Sequence, residues 1–246
     1  MKAMVFAAGL GTRLRPLTGD RPKALVTLAG QTLLQIALAR LRAFGIAEVI
    51  VNVHHFADRI VDYLAANRNF GMRIEISRED TLLDTGGGLK QAAWFFLESG
   101  RDEPFLVHNV DVLSTIDLAH MLRFHRQRAA LATLAVQQRK TSRALLFDAE
   151  DRLVRRAAPD RFAPHAATPA LDPLAFSGIH VISPRIFARL DEQGAFSIIE
   201  AYLRLAAAGE PILAFRADGA RWRDLGRPEQ LAEAEREVAA GIFAPL

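Results

Sequence analysis

The chain opens on a short apolar run, Lys2-Ala3-Met4-Val5-Phe6, of the kind a strand buried on both faces shows. Leu33, Leu34, Ala37, Leu38, Leu41 and Phe44 then recur at helical spacing, and Gly45 closes that helix. Residues 48–53 read as a second buried strand. Residues 58–66 read as a helix with Ile60, Val61 and Leu64 on one face, and 72–76 alternate as a strand does. Residues 86–97 lead into a helix, and 104–108 form a strand ending at Asn109-Val110-Asp111. A helix over 117–128 and a strand over 131–136 follow. Strands alternating with helices predict an α/β fold: a single doubly wound, mostly parallel, Rossmann-like sheet flanked by helices. In such sheets ligands bind beyond the carboxyl ends of the strands. The segments 9–13 and 109–111 both fall there, so they can face one site.

The second half is less regular. Residues 144–147 and 152–155 suggest a short hairpin, and 157–173, rich in Ala and Pro, a surface loop or flap. Residues 176–182 form a strand interrupted by Gly178, and Pro184 starts a short helix. Residues 197–207 read as a helix, 212–215 as a strand and 221–226 as a strand end or turn, and Pro228 opens a final helix. With no internal repeat and no linker, the expectation is one domain over 1–246. It has a core over 1–136 and a smaller β elaboration with closing helices over 137–246.

Composition narrows the chemistry. A chain of 246 residues, half of them apolar, buries a sizeable core. No apolar run approaches the length of a membrane span, and Gly9 to Arg15 interrupts the N-terminal apolar run too early for a signal peptide. No cysteine is present, so there is neither a disulfide framework nor thiolate chemistry, and the expected address is cytoplasmic. The net charge of +3 comes from scattered arginines without an aromatic-interleaved stripe. Small anions therefore suit it better than nucleic acid, and no membrane is expected as partner.

The turn after the first strand, Ala7-Ala8-Gly9-Leu10-Gly11-Thr12-Arg13-Leu14-Arg15-Pro16, is built of small residues with two cations behind it, and Lys23 follows in Arg21-Pro22-Lys23-Ala24-Leu25. Glycines let backbone N–H groups approach an anion closely. A strand ending in such a loop beside Arg and Lys suggests a triphosphate cradle. Position 14 is Leu, so the third glycine of a dinucleotide fingerprint is missing, as is the Gly-Lys-Ser/Thr of a P-loop. A plainer account makes Gly9 and Gly11 a tight turn with Arg13 and Arg15 solvated.

Residues 7–18 followed by Pro22-Lys23-Ala24-Leu25 resemble the signature of the sugar-1-phosphate nucleotidyltransferases, and the resemblance extends over nearly the whole chain. It implies an enzyme that joins an NTP and a sugar 1-phosphate into an NDP-sugar, releasing pyrophosphate. It further implies that Ala8, Gly9, Gly11 and Thr12 bind the nucleotide. Arg13 would meet the leaving pyrophosphate and Lys23 the phosphates of both substrates. By the same resemblance Asp111 and Asp224 would hold Mg²⁺, which prefers one or two carboxylates completed by phosphates and water. Taken singly, Asp111 also suits a turn cap and Asp224 an exposed charge.

Asp84-Thr85-Gly86-Gly87-Gly88 has the small residues to let a flat ring lie on the backbone ahead of a helix, and Asp84 or Thr85 could equally serve as its cap. In the resembling enzymes this segment lines the base pocket. A triple glycine is similar to the members that act with UTP on N-acetylmuramate 1-phosphate, and GTP with mannose 1-phosphate is the alternative. Asn109, Gly178 and Glu200 are the positions expected at the sugar. Gly178 also suits a β-bulge, and Ser197-Ile198-Ile199-Glu200 also reads as a capping box, which is favoured. His54 and His55 adjoin a strand end but point apart in an extended chain, a poor metal pair.

Three positions depart from the family pattern: Val110 where a Gly often precedes the metal Asp, Arg227 after Asp224-Leu225-Gly226, and no Glu-Lys-Pro segment between Thr141 and Pro173. The last departure suits the compact uridylyltransferase-like members. A chain ending at Leu246 leaves no room for an appended acyltransferase helix or cupin domain, and a monomer or homodimer is expected. The rival classes are a dinucleotide-dependent oxidoreductase and a non-catalytic sugar-nucleotide sensor.

Overall fold

The computed structural model of the chain describes residues 1–157 and 171–243. Strand β1 (Lys2–Phe6) is followed by a short pair, β2 (Thr27–Leu28) and β3 (Gln31–Thr32), then α1 (Leu33–Ala43), β4 (Glu48–Val53), α2 (Ala57–Ala66) and β5 (Arg73–Arg78). Helices α3 (Asp84–Gln91) and α4 (Ala93–Leu97) lead to β6 (Phe105–Asn109), β7 (Val112–Ser114), α5 (Leu118–Gln127) and β8 (Ala132–Gln137). A hairpin of β9 (Leu145–Phe147) and β10 (Leu153–Arg156) precedes β11 (Asp172–Ile182), α6 (Ile198–Ala207), β12 (Ile212–Arg216), β13 (Trp222–Asp224) and α7 (Pro228–Ala239). Local chemistry sets several of these starts. The Thr32 hydroxyl accepts from Gln35 N at 3.0 Å to cap α1, and Asp117 accepts from His120 N at 2.8 Å to cap α5.

A nine-stranded sheet carries the fold, with β5, β4, β1 and β6 parallel in that order. β11 pairs antiparallel with β6 and β8, and β12 lies parallel to β8. The sheet is therefore mostly parallel, as the strand-helix alternation predicts. Side chains alternate across β1 and divide the core in two. Ala3 and Val5 pack with α1, α2, α5 and α7, whereas Met4 packs with α3, α4 and α6.

Because β11 runs against β6, its first half projects past the carboxyl end of β6, and β9 pairs there with residues Asp172 to Leu174. The β9–β10 hairpin thus forms a wall above the strand ends. Chain order then creates the switch point of an open sheet: β4 and β5 lie to one side of β1, and β6 returns on the other.

Three expectations change and one alternative is decided. The triple glycine does not precede a helix; Gly86, Gly87 and Gly88 are buried inside α3. Asp172 and Pro173, assigned to a loop, begin β11, and the rest of that expected flap, 158–170, lies outside the described residues. Residues 221–226 contribute a true strand, β13, which pairs with β7 as a separate two-stranded ribbon. Gly178 adopts φ +74° where the β11–β8 register shifts, so the bulge reading of that residue holds. Among the described residues no helix is long and apolar enough to cross a membrane.

Candidate active site

Two cavities open at the carboxyl ends of β1 and β6, where the switch point places them. The smaller, about 440 Å³, is lined by Phe6 to Gly9, Lys23, Asn52, Glu79, Leu82, Asp84, Thr85, Asn109, Val110, Asp111 and Ala195. The larger, about 530 Å³, is lined by Arg13, Asp84, Asn109, Asp111, Val112, Arg139, Thr141, Arg143, Leu145, Arg156, Phe176, Ser177, Gly178, Ser197, Ile199, Glu200, Trp222 and Asp224. Asp84, Asn109 and Asp111 border both. Two concave sites that share a wall suit two substrates that meet.

At the junction, charge is concentrated. The β7–β13 ribbon places Asp224 opposite Val112, and Leu225 N donates to the Asp111 carbonyl at 2.8 Å. Asp111 and Asp224 are far apart in the chain yet adjacent across this ribbon. Lys23 Nζ donates to Asp111 Oδ2 in a half-buried ion pair. The backbone of Gly226 marks the centre of the cluster. A Cβ there would lie 2.6 Å from Asp224 Oδ1, 2.9 Å from Arg13 Nη2 and 3.4 Å from Lys23 Nζ. Asp224 Oδ1 also accepts from Gly226 N at 2.7 Å. Arg13, Lys23, Asp111 and Asp224 thus converge, as their grouping in the sequence reading requires.

The opening loop is shaped around Lys23. Gly11 has φ +65°, and a Cβ on it would press against Thr18 Cγ2 at 3.0 Å and Lys23 Cβ at 3.1 Å. Thr18 Oγ1 donates to the Gly11 carbonyl at 2.8 Å, which pins the turn. Gly11 therefore positions the lysine stem; neither Gly11 nor Thr12 borders either of these two cavities, whereas Ala8 and Gly9 border the smaller. The loop entrance is held by Asn52, whose Oδ1 accepts from Ala7 N at 2.8 Å while its Nδ2 donates to Glu79 Oε1 at 2.6 Å.

The glycines of α3 have another task than an open platform. A Cβ at Gly86 would lie 2.2 Å from the Phe196 ring, at Gly87 2.4 Å from the Gly194 carbonyl, and at Gly88 2.6 Å from Glu79 Oε1. The N–H groups of Gly86 and Gly87 both donate to the Phe196 carbonyl, at 2.8 and 3.3 Å. Gly86 and Gly87 border neither cavity; Asp84 and Thr85 do, and Thr85 Oγ1 accepts from Ile198 N at 3.0 Å. The capping box also closes only in part. Ser197 accepts from Ile199 N at 3.3 Å, but the Glu200 carboxylate pairs with Arg156 at 2.6 Å on the rim of the larger cavity.

Several lining residues escaped the sequence reading. Arg139, half-buried, stacks on Trp222 with its guanidinium carbon 3.7 Å from the ring centroid and donates to the Phe176 carbonyl at 2.7 Å. Burial holds its guanidinium below the usual arginine range, an effect the nearby Asp224 opposes. Trp222 Nε1 donates to the Ser177 carbonyl at 2.8 Å. Asn52 left a signal, a polar residue interrupting a buried strand; Glu79 is hidden within a run of charges. His54 donates Nδ1–H to the Glu79 carbonyl at 2.8 Å, and buried His108 donates to the Asn109 carbonyl at 2.7 Å.

Residues 2–241 match the nucleotidyl transferase family. The chain is 35% identical to the N-acetylmuramate alpha-1-phosphate uridylyltransferase of Caulobacter vibrioides, across 96% of each chain. It is 32% identical to the mannose-1-phosphate guanylyltransferase of Mycobacterium tuberculosis, across 98% of this chain and 65% of that longer relative. In three dimensions it matches HddC of Yersinia pseudotuberculosis, solved with GMP-PN. The TM-score is 0.78 at 21% identity, across 96% of this chain and 99% of that one, which establishes a common fold. The chain belongs to the nucleotidyl transferase family.

Proposed function

We propose that the protein catalyses attack of a sugar 1-phosphate on the α-phosphate of an NTP, giving an NDP-sugar and pyrophosphate, with UTP and N-acetylmuramate 1-phosphate as the substrates. The observation that carries this reading is the meeting of Arg13, Lys23, Asp111 and Asp224 around Gly226, where two cavities join. The smaller cavity, walled by the first-strand loop and by Leu82 to Thr85, takes the nucleotide. The larger one, whose arginines offset its carboxylates, takes the sugar phosphate. The division into a nucleotide-binding part over 1–136 and a sugar-phosphate part over 137–246 belongs to the same reading, although residues of both parts border each cavity.

The nucleophile is a phosphate oxygen already ionised at neutral pH, so no general base is required. The obstacle is repulsion between two anions. Lys23, at the junction, draws the two phosphates together, and Arg13 stabilises charge on the departing pyrophosphate. Asp111 and Asp224 fit Mg²⁺. They offer hard oxygen ligands from the turn before β7 and the end of β13, too few for a protein-only cage but suited to an ion completed by phosphates and water. Among the described residues there is no group of three or more acidic, His or Cys side chains that could hold a metal. Mg²⁺, when bound, would neutralise phosphate charge. The Lys23–Asp111 pair keeps the acceptor carboxylate partnered until it does.

The departure at the Glu-Lys-Pro segment and the Caulobacter relative favour the muramate substrate, and the Mycobacterium relative supports GTP with mannose 1-phosphate as the second reading. One grid tests both: NTPs against a panel of sugar 1-phosphates with Mg²⁺, following pyrophosphate. Release should be greatest with UTP and N-acetylmuramate 1-phosphate. Preference for GTP and mannose 1-phosphate would install the second reading, and no release from any pair would leave a non-catalytic sensor.

A further inference from the structure

We propose that Arg139 is a positioning residue for Asp224, riveting the ribbon that carries the two carboxylates to the bulge of β11 through Trp222. The inference deepens the nucleotidyl-transfer reading and rests on it.

The ribbon needs an anchor. β7 and β13 share only the pairs Trp222 with Ser114, Arg223 with Leu113 and Asp224 with Val112, and they lie outside the nine-stranded sheet. A two-stranded unit of that size has little stability of its own. On one side Arg223 binds it to Glu233 and Glu237 of α7. On the other side Gln137 of β8 holds the approach to β13 through the Ala217 and Ala220 carbonyls, and β13 itself is tied to the bulge. Trp222 donates to the Ser177 carbonyl, and Arg139 lies on the Trp222 ring while donating to the neighbouring Phe176 carbonyl. The register shift after Phe176 is where those carbonyls are met by side chains.

Arginine is suited to this task for a reason that charge alone does not supply. Its planar guanidinium can stack on an indole face and donate in its own plane at once; an ammonium cannot. Asp224 is two residues from Trp222 in an extended strand, so a tilt of the indole moves the carboxylate. Residues that orient a metal ligand in this way matter by about ten- to a hundredfold in affinity or activity.

The chain has two tryptophans, so a Trp94→Phe background leaves Trp222 as the lone tryptophan, beside the carboxylates. Mn²⁺, titrated in the presence of UTP, should quench it. Arg139→Lys and Arg139→Met should each raise the Mn²⁺ half-saturation about tenfold and lower kcat, with little change in KM for the sugar phosphate. Lysine should not rescue. A Lys variant with the parent Mn²⁺ titration and turnover overturns the proposal. So does a defect confined to KM, which would make Arg139 a substrate-binding cation, and so does absence of quenching in the parent. If the Arg139 variants melt, Trp222→Phe keeps a ring face but loses the bond to Ser177. An unchanged Mg²⁺ dependence of its turnover then overturns the proposal equally. Failure of the function reading looks different: the parent would release no pyrophosphate with any substrate pair, while the Mn²⁺ titration still separated the variants.

Discussion

At Gly226 the absence of one methyl group lets three charged side chains, Asp224, Arg13 and Lys23, crowd together. A Cβ there would meet Asp224 Oδ1 at 2.6 Å and Arg13 Nη2 at 2.9 Å, so Gly226→Ala must push the carboxylate or the guanidinium aside. Turnover should drop at least about tenfold, equivalent to about 1.4 kcal/mol of barrier, with little change in melting temperature. Unaltered kinetics would show that the cluster tolerates displacement. Lys23→Ala and Asp111→Asn should each cost about two orders of magnitude in kcat, or roughly 3 kcal/mol, at saturating Mg²⁺. Near-normal rates would remove these residues from the mechanism. Arg13 and Lys23 were legible because they stand in a signature of charged and small residues after the first strand, and Asp111 and Asp224 through the resemblance alone. Gly226 was legible only as a glycine after an aspartate; its crowding depends on side chains from distant segments, which no local pattern encodes.

At the scale of the element, α3 is the instructive case. Three glycines in a row read as an open loop, since each costs about 1 kcal/mol in a helix relative to alanine. They are helical because Phe196, Gly194 and Glu79 occupy the space their side chains would need. The outcome for Gly87→Ala is decided by magnitudes. Propensity favours alanine by about 1 kcal/mol, while overpacking against a backbone carbonyl 2.4 Å away costs about 1–3 kcal/mol. Since a backbone oxygen has little freedom to retreat, overpacking prevails, and the variant should unfold at lower urea concentration than the parent, by an amount equivalent to up to about 2 kcal/mol. A gain in stability would instead return these glycines to a role in ligand contact. The same element shows why the loop reading failed: the partners at 194 and 196 lie more than a hundred residues downstream, and spacing within 84–91 carries no trace of them.

Over the whole molecule, alternation of apolar strands and amphipathic helices made the parallel half of the sheet legible. The reversal of β11 and the β7–β13 ribbon were not, because a strand's direction and partner are set by segments far along the chain. Burial adds a property of the entire fold. It holds His180 down to about 3 and His108 and His125 down to about 4, against about 6.5 in an unfolded chain. Between those values the unfolded state binds more protons. Stability is therefore complete above about pH 6.5 and declines as pH falls toward 4, by on the order of 1 kcal/mol per histidine per pH unit. Urea midpoints at pH 7.5, 6 and 5 should trace this decline, and His180→Gln should flatten it. An equal slope in that variant would assign the acid sensitivity to other groups.

The ribbon also has a consequence in time. Asp111 leaves the ribosome early, together with the loop, lysine and strands of the smaller cavity, but its neighbour Asp224 arrives 113 residues later, on a strand whose one partner among the described residues is β7. A nascent or truncated chain ending before Trp222 can assemble the parallel strands and still lack the second carboxylate. The charged cluster therefore closes only once β13 has been made, and a fragment that stops short of it is set apart from any chain that includes it by a single missing carboxylate.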